Sequence, residues 1–161
     1  MNTKTRLTRC FAAIALVLFT AFASAQQRPS YGGQITLEDA KKIAAGAVVE
    51  AKKNSWNVAI AVVDNHGMLV YYEMLDDTQT SSATIAIEKA RTAAMFRRSS
   101  KAFEDVVSKG RVAVLGLPGV TPVQGGLPIY VNGKIIGGVG ASGVNSDQDE
   151  QVVQAGLNAL K

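Results

Sequence analysis

The pair Asn132-Gly133 lies between two apolar runs, residues 127–131 and 134–142. A two-residue type I′ turn needs φ > 0 at both central positions, so these runs are predicted to pair antiparallel as a hairpin. The second strand carries Gly137, Gly138 and Gly140, with Gly143 just beyond. Glycines within a strand mark a kink or a place where another segment packs against the backbone. A final helix is expected from Ser146, whose spacing to Asp149 suits a capping box. Asp147, Asp149 and Glu150 suit the positive end of its dipole.

Residues 138–143 also spell G-x-G-x-x-G. A dinucleotide site needs a helix, a second strand and an acidic ribose contact about 20 residues on. Here the chain continues into a single helix with an acidic start, which repels a pyrophosphate. The motif is therefore read as packing, not nucleotide binding.

The rest of the chain gives a consistent element order. Thr36 opens a first helix whose Leu37, Ala40, Ala44, Ala47, Val48 and Ala51 share one face, and Asn54 ends it. Residues 57–63 form a strand apolar on both faces, hence central and covered on both sides. Residues 64–67 turn the chain into a second strand, 68–75. A second helix, 84–97, carries a ridge of Ala83, Ala86, Ile87, Ala90 and Ala94. Its opposite side holds Ile85, Thr92, Met95 and Phe96 beside Glu88 and Lys89. That second apolar face either meets a partner subunit or ligand, or is covered by a short third helix, 99–109. A third strand is expected at 120–124, ahead of the hairpin. Two antiparallel runs joined through helices make an α+β domain with an antiparallel sheet of about five strands.

Residues 1–25 read as a secretory signal peptide: Lys4, Arg6 and Arg9, then an apolar stretch from Phe11 to Phe22, then Ala23-Ser24-Ala25. The apolar stretch is short for a membrane span. Cleavage before Gln26 leaves a flexible leader, 26–35, and a domain, 36–161, with no membrane span. Of the 17 Lys and Arg, three lie in the signal, leaving 14 against 13 Asp and Glu. The basic character is mostly the signal's, which removes the case for nucleic acid. The one cysteine, Cys10, also lies in the signal. The mature chain thus has neither disulfide nor cysteine nucleophile, and packing or assembly must hold it. The expected location is periplasmic or secreted.

With one histidine and no mature cysteine, His/Cys zinc chemistry lacks ligands, and a Ser-His-Asp triad would have to use His66 while Ser142 does not fit G-x-S-x-G. His66 is either a turn residue or the only imidazole able to ligate haem iron. Tyr31, Tyr71, Tyr72 and Tyr130 are the other possible iron ligands. Arg91, Arg97, Arg98 and Lys101 cluster at the end of the second helix. They either answer its dipole or form a clamp for carboxylates such as haem propionates. Thr92 either bonds the preceding helical turn or faces a ligand.

Four segments carry a resemblance: Ala61-Val-Val-Asp64 with Gly67; Lys89-Ala-Arg-Thr92-Ala; Gly125-Gly-Leu-Pro128-Ile; and Gly137-Gly-Val-Gly-Ala-Ser142-Gly143 with Asp147 and Ala155-Gly156. In their order and spacing the chain resembles the GlcG/HbpS-like proteins, a haem-degrading domain family that also forms the C-terminal domain of some cobalamin adenosyltransferases. The resemblance implies a profilin-like α/β/α sandwich with a five-stranded antiparallel sheet, a homo-oligomer, and haem as cofactor. It implies a haem contact for Thr92. The pattern departs at Met74-Leu75-Asp76-Asp77, where relatives carry arginine and glycine.

The leading expectation is an exported, oligomeric haem- or tetrapyrrole-binding protein serving haem or iron sequestration or slow degradation. Lys89, Thr92, His66 and Arg97 are its candidate cofactor-binding residues, with His66 the metal ligand. The alternative is an enzyme or binding protein for a small organic acid, with Asp64, Glu73 or Glu88 as general base. A third reading is an assembly factor whose apolar helix face binds only itself.

Overall fold

The computed structural model describes residues 28–161, so the expected signal peptide lies outside the described residues. Helix α1 (Leu37–Lys53) starts as its sequence dictates: Thr36 Oγ1 accepts the amide N–H of Asp39 at 3.1 Å. Asn54 ends it, and Ala40, Ile43, Ala44, Ala47 and Ala51 are buried along one face. Strand β1 (Ala59–Asp64) is buried at every residue. It lies between β2 (Leu69–Met74) and β4 (Lys134–Ser142), antiparallel to both. Strand β3 (Gly126–Val131) pairs with β4 through a turn whose Asn132 and Gly133 have φ of 50° and 72°. The hairpin forms as the sequence requires.

The sheet has four strands in the order β2-β1-β4-β3, not five. The missing strand is residues 120–124, and the reason is where its donors go. The Thr121 amide donates to Thr92 Oγ1 at 2.8 Å, and the Gln124 amide to Glu104 Oε2 at 2.6 Å. Pro122 has no donor to give. With its amides bound to side chains, the segment cannot make a ladder.

Helices α2 (Ser82–Phe96) and α3 (Lys101–Ser108) follow β2, and a 3-10 turn (Val112–Gly116) follows α3. Helix α4 (Ser146–Asn158) closes the fold. Its N-cap is Asn145, one residue before the expected position, with Gln148 Oε1 accepting the Asn145 amide at 3.2 Å. Asp149 instead faces the interior, 2% exposed.

The sheet separates two layers. Helices α1 and α4 share a core with Val58, Ile60, Val62, Ile129 and Val139 on one face. On the other, Ala86, Ala90 and Ala94 of α2 pack on Ala59, Ala61 and Val63. The α2 layer is thin because of three strand glycines, Gly126 of β3, which faces Lys89 O, and Gly138 and Gly140 of β4. A Cβ added at Gly138 or Gly140 would collide with the carbonyl oxygen of Ala90 or Ala86. The strand glycines and the alanine ridge therefore bring α2 down until its backbone lies on the sheet. The first two glycines of the G-x-G-x-x-G spacing belong to this contact surface, and the third, Gly143, lies against the backbone of Asn57 and Val58.

The outer side of α2 is largely covered by the chain itself. Phe96 meets Phe103 of α3 edge to face at 5.1 Å between centroids, and Thr92 is buried beneath residues 119–121. Met95 remains 45% exposed. Residues 30–35 of the expected leader run beside β4: Ile135 donates to Ser30 O at 3.0 Å, and Gly32 donates to Ile135 O at 2.8 Å. Among the described residues no helix is long and apolar enough to cross a membrane.

Overpacking a full interior costs about 1–3 kcal/mol, and backbone collision lies at the upper end. Gly140→Ala should lower the urea midpoint accordingly. Gly33→Ala, where an added Cβ meets nothing within 4 Å, should leave it in place. Equal midpoints for both variants would contradict the close contact.

Candidate functional site

The tight turn between β1 and β2 presents the single histidine. Asp64 Oδ1 accepts the amides of His66 at 2.8 Å and Met68 at 3.0 Å, which folds the chain back on itself. Gly67 completes the turn at φ 82°. A Cβ there would sit 2.9 Å from Met95 Sδ, so this turn lies directly against the end of α2. Arg91 Nε donates to Gly67 O at 2.9 Å and ties the same two elements together.

Tyr31 closes the third side. Its hydroxyl donates to Met95 O at 2.7 Å, one of the carbonyls that α2 leaves unpaired at its C-terminus. Arg97 takes the left-handed conformation, φ 56°, as the helix stops. From there its guanidinium donates to Pro29 O at 3.2 Å and lies 5.4 Å from the centre of the Tyr31 ring. Asn65 Nδ2 anchors Gly32 O at 2.9 Å. The result is a shallow pocket of about 380 Å³ lined by Tyr31, Asn65, His66 and Met95.

The chemistry of this pocket is an imidazole, a thioether and a phenol ring, with a guanidinium stacked behind the phenol. Gln34 Nε2 lies 3.2 Å from His66 Nδ1. An amide donating there puts the ring proton on Nε2. Turning the Gln34 amide over presents its oxygen to Nδ1–H and leaves the Nε2 lone pair free to ligate a metal. Among the described residues no three His, Cys, Asp or Glu side chains gather as a metal site. A metal here would therefore need ligands of its own, as haem iron has.

Of the four expected binding residues, His66 lines this pocket, and Arg97 stands behind it against the Tyr31 ring. The other two have structural partners elsewhere. Lys89 is not on the outer face of α2 but inside the fold. Its Nζ is 2.8 Å from Asp149 Oδ2 and 3.2 Å from Ala141 O, and both charged side chains are 2% exposed. Burial pushes the Asp149 carboxyl above the ordinary carboxylate range, against the opposing pull of Lys89 and of the Val144 and Gly143 amides. Thr92 does not bond the preceding turn. Its Oγ1 accepts the Thr121 amide and donates to Gly119 O at 3.2 Å.

The three carboxylates considered as general bases are likewise occupied. Asp64 holds the turn, Glu73 accepts from the Tyr71 hydroxyl at 3.1 Å, and Glu88 pairs with Arg91. Sequence reasoning missed Met95 and Gln34 as neighbours of His66. The four-residue spacing of Arg91 and Met95 marks them as one helical face, but nothing in the sequence shows that the β1–β2 turn packs there.

Of the residues considered as ligands, two other hollows hold only Tyr130, which lines the first. A groove of about 430 Å³ runs between β3 and α4, lined by apolar residues including Leu127, Leu157 and Leu160. A cleft of about 390 Å³ holds Trp56, Asp76 and Asp77, at the segment where the motif pattern departs.

The sequence model described as haem-degrading protein, HbpS-like, matches residues 35–158. The chain belongs to the HbpS-like family. Protein GlcG of Escherichia coli K12 is 46% identical over 103 residues, covering 64% of this chain and 77% of GlcG. The HbpS-like fold is seen in the crystal structure of HbpS, at TM-score 0.75 and 29% identity, with 82% of this chain and 94% of that one covered. The crystal structure of a PduOC–haem complex matches at TM-score 0.72 and 26% identity, covering 78% and 94%.

In this HbpS-like chain the Lys89–Asp149 pair is a strut. Asp149→Ala leaves a buried ammonium without its counter-ion and should cost about 3–5 kcal/mol in urea unfolding. Lys89→Met with Asp149→Leu should recover most of that loss. A double variant no more stable than Asp149→Ala would contradict this assignment.

Proposed function

We propose that this is an exported haem-binding protein that self-associates and sequesters haem or its iron, with the His66 pocket as its site. The observation that carries the reading is the meeting of His66, Met95 and Tyr31 around one pocket, with Arg97 behind the Tyr31 ring. Membership of the HbpS-like family and likeness to a PduOC–haem complex support it.

The residues present fit haem. His66 Nε2 would be the axial donor once Gln34 accepts from Nδ1. Met95 and Tyr31 would pack against the porphyrin, thioether and ring both suiting a flat apolar ligand. Arg97 would face a propionate with a charge-assisted fork. Bound haem supplies an iron centre, and the chain supplies the donor, the apolar wall and the counter-charge. A volume of about 380 Å³ is at the low end for ligand pockets. It seats part of the tetrapyrrole, and a second copy of the chain would cover the remainder. The exposed Val112 and Leu115 of the 3-10 turn, with Leu117 just after it, offer apolar surface for such an assembly. Export rests on residues 1–25. In this reading Thr92 holds residues 119–121 in place and does not touch the ligand.

Haemin titrated into the mature protein should give a saturable shift of the Soret band. His66→Ala should weaken binding about tenfold or more, equivalent to about 1.4 kcal/mol, and alter the ferric spectrum. No saturable shift, or an identical spectrum for His66→Ala, would overturn the assignment. Slow bleaching of the bound band under reductant would indicate degradation in place of storage.

A further inference from the structure

Beyond Tyr31, the end of α2 gathers a second group of guanidinium ions. Arg28 Nη1 donates to Phe96 O at 3.4 Å. The Arg98 guanidinium lies 4.3 Å from the centre of the Phe103 ring, stacked on α3. Its Nε is buried and has no hydrogen-bond partner among the described residues. Arg111 leaves the end of α3 nearby. Burial first, then the like charges of Arg28 and Arg111, hold the Arg98 guanidinium below its ordinary pKa.

None of these three arginines forms an ion pair among the described residues, whereas the neighbouring Arg91 and Lys101 pair with Glu88 and Asp105. Nor can the first 27 residues supply a side-chain carboxylate, since they contain no Asp or Glu. The C-terminal carbonyls of α2 answer Arg28 in part. They do not satisfy Arg98. A buried donor without an acceptor and like charges held together are both unfavourable. A bound oxyanion offsets the like charges and gives the Arg98 guanidinium the acceptor that the described residues do not provide.

We propose that Arg98, with Arg28 and Arg111, forms a subsite for a small oxyanion, a carboxylate or phosphate carried by a soluble molecule. The planar guanidinium presents paired N–H donors that match either group. Stacking on Phe103 holds Arg98 in place, so less side-chain freedom is lost on binding. The subsite does not depend on haem at His66.

The test uses the mature protein, with inorganic phosphate and succinate as probes and sodium chloride at matched ionic strength as reference. At least one probe should raise the thermal midpoint saturably above the chloride control. The probe that does so identifies the anion class. Arg28→Gln and Arg111→Gln change exposed side chains and should fold normally. Together they should weaken the response about tenfold, and Arg98→Gln should abolish it. His66→Ala should leave it intact, which separates this subsite from the haem reading. A response no greater than chloride for both probes, or one unchanged in all three arginine variants, would overturn the proposal.

Discussion

Helix α2 rests on the sheet by its backbone, and the rest of the molecule is arranged around that contact. The alanine ridge removes bulk from the helix and the glycines of β4 remove it from the strand. Close approach alone gives little apolar area, because alanine buries little. The Lys89–Asp149 pair adds a polar cross-link from α2 to α4 past the end of β4. Such a pair is weak evidence for net stability, since desolvation offsets most of the attraction. Its geometric effect is stronger, because breaking it strands a charge in the interior. It therefore favours one position of α2 over others along the glycine surface.

Fixing α2 fixes what stands at its C-terminus. Met95 arrives against Gly67, Arg97 turns out as the helix ends, and the free carbonyls of the last turn collect Tyr31 and Arg28. Neither the leader nor the β1–β2 turn carries a binding site alone. The candidate site lies where two segments distant in sequence meet one helix end, the leader through its unpaired carbonyls and the β1–β2 turn through Arg91 and Met95.

Local signals in the sequence translated well. Thr36 and Asn54 bound α1 as their capping chemistry requires, and Asn132-Gly133 makes its turn because few other pairs tolerate two positive φ values. The doubly apolar β1 is central and fully buried. The errors fall where side chains acted at long range. Residues 120–124 look like a strand until Thr92 and Glu104 take their amides. Lys89 looks like an outer-face cation because its partner lies 60 residues away, and Asp149 looks like a helix-start acid for the same reason. At the site, the motif containing Thr92 was legible, but its role was not. A threonine reading its own helical turn and one clamping a distant loop have the same local sequence.

A ligand face where α2 meets the β1–β2 turn, as proposed, has a direct spectroscopic readout. Ferric haem broadens the amide resonances of nearby residues, so nitrogen-labelled mature protein titrated with substoichiometric haemin reports the site directly. Asn65, His66 and Gly67, with Tyr31, Met95 and Arg97, should lose intensity first. Loss centred instead on the β3–α4 groove at Leu127–Val131, or on the loop over Thr92, would contradict it.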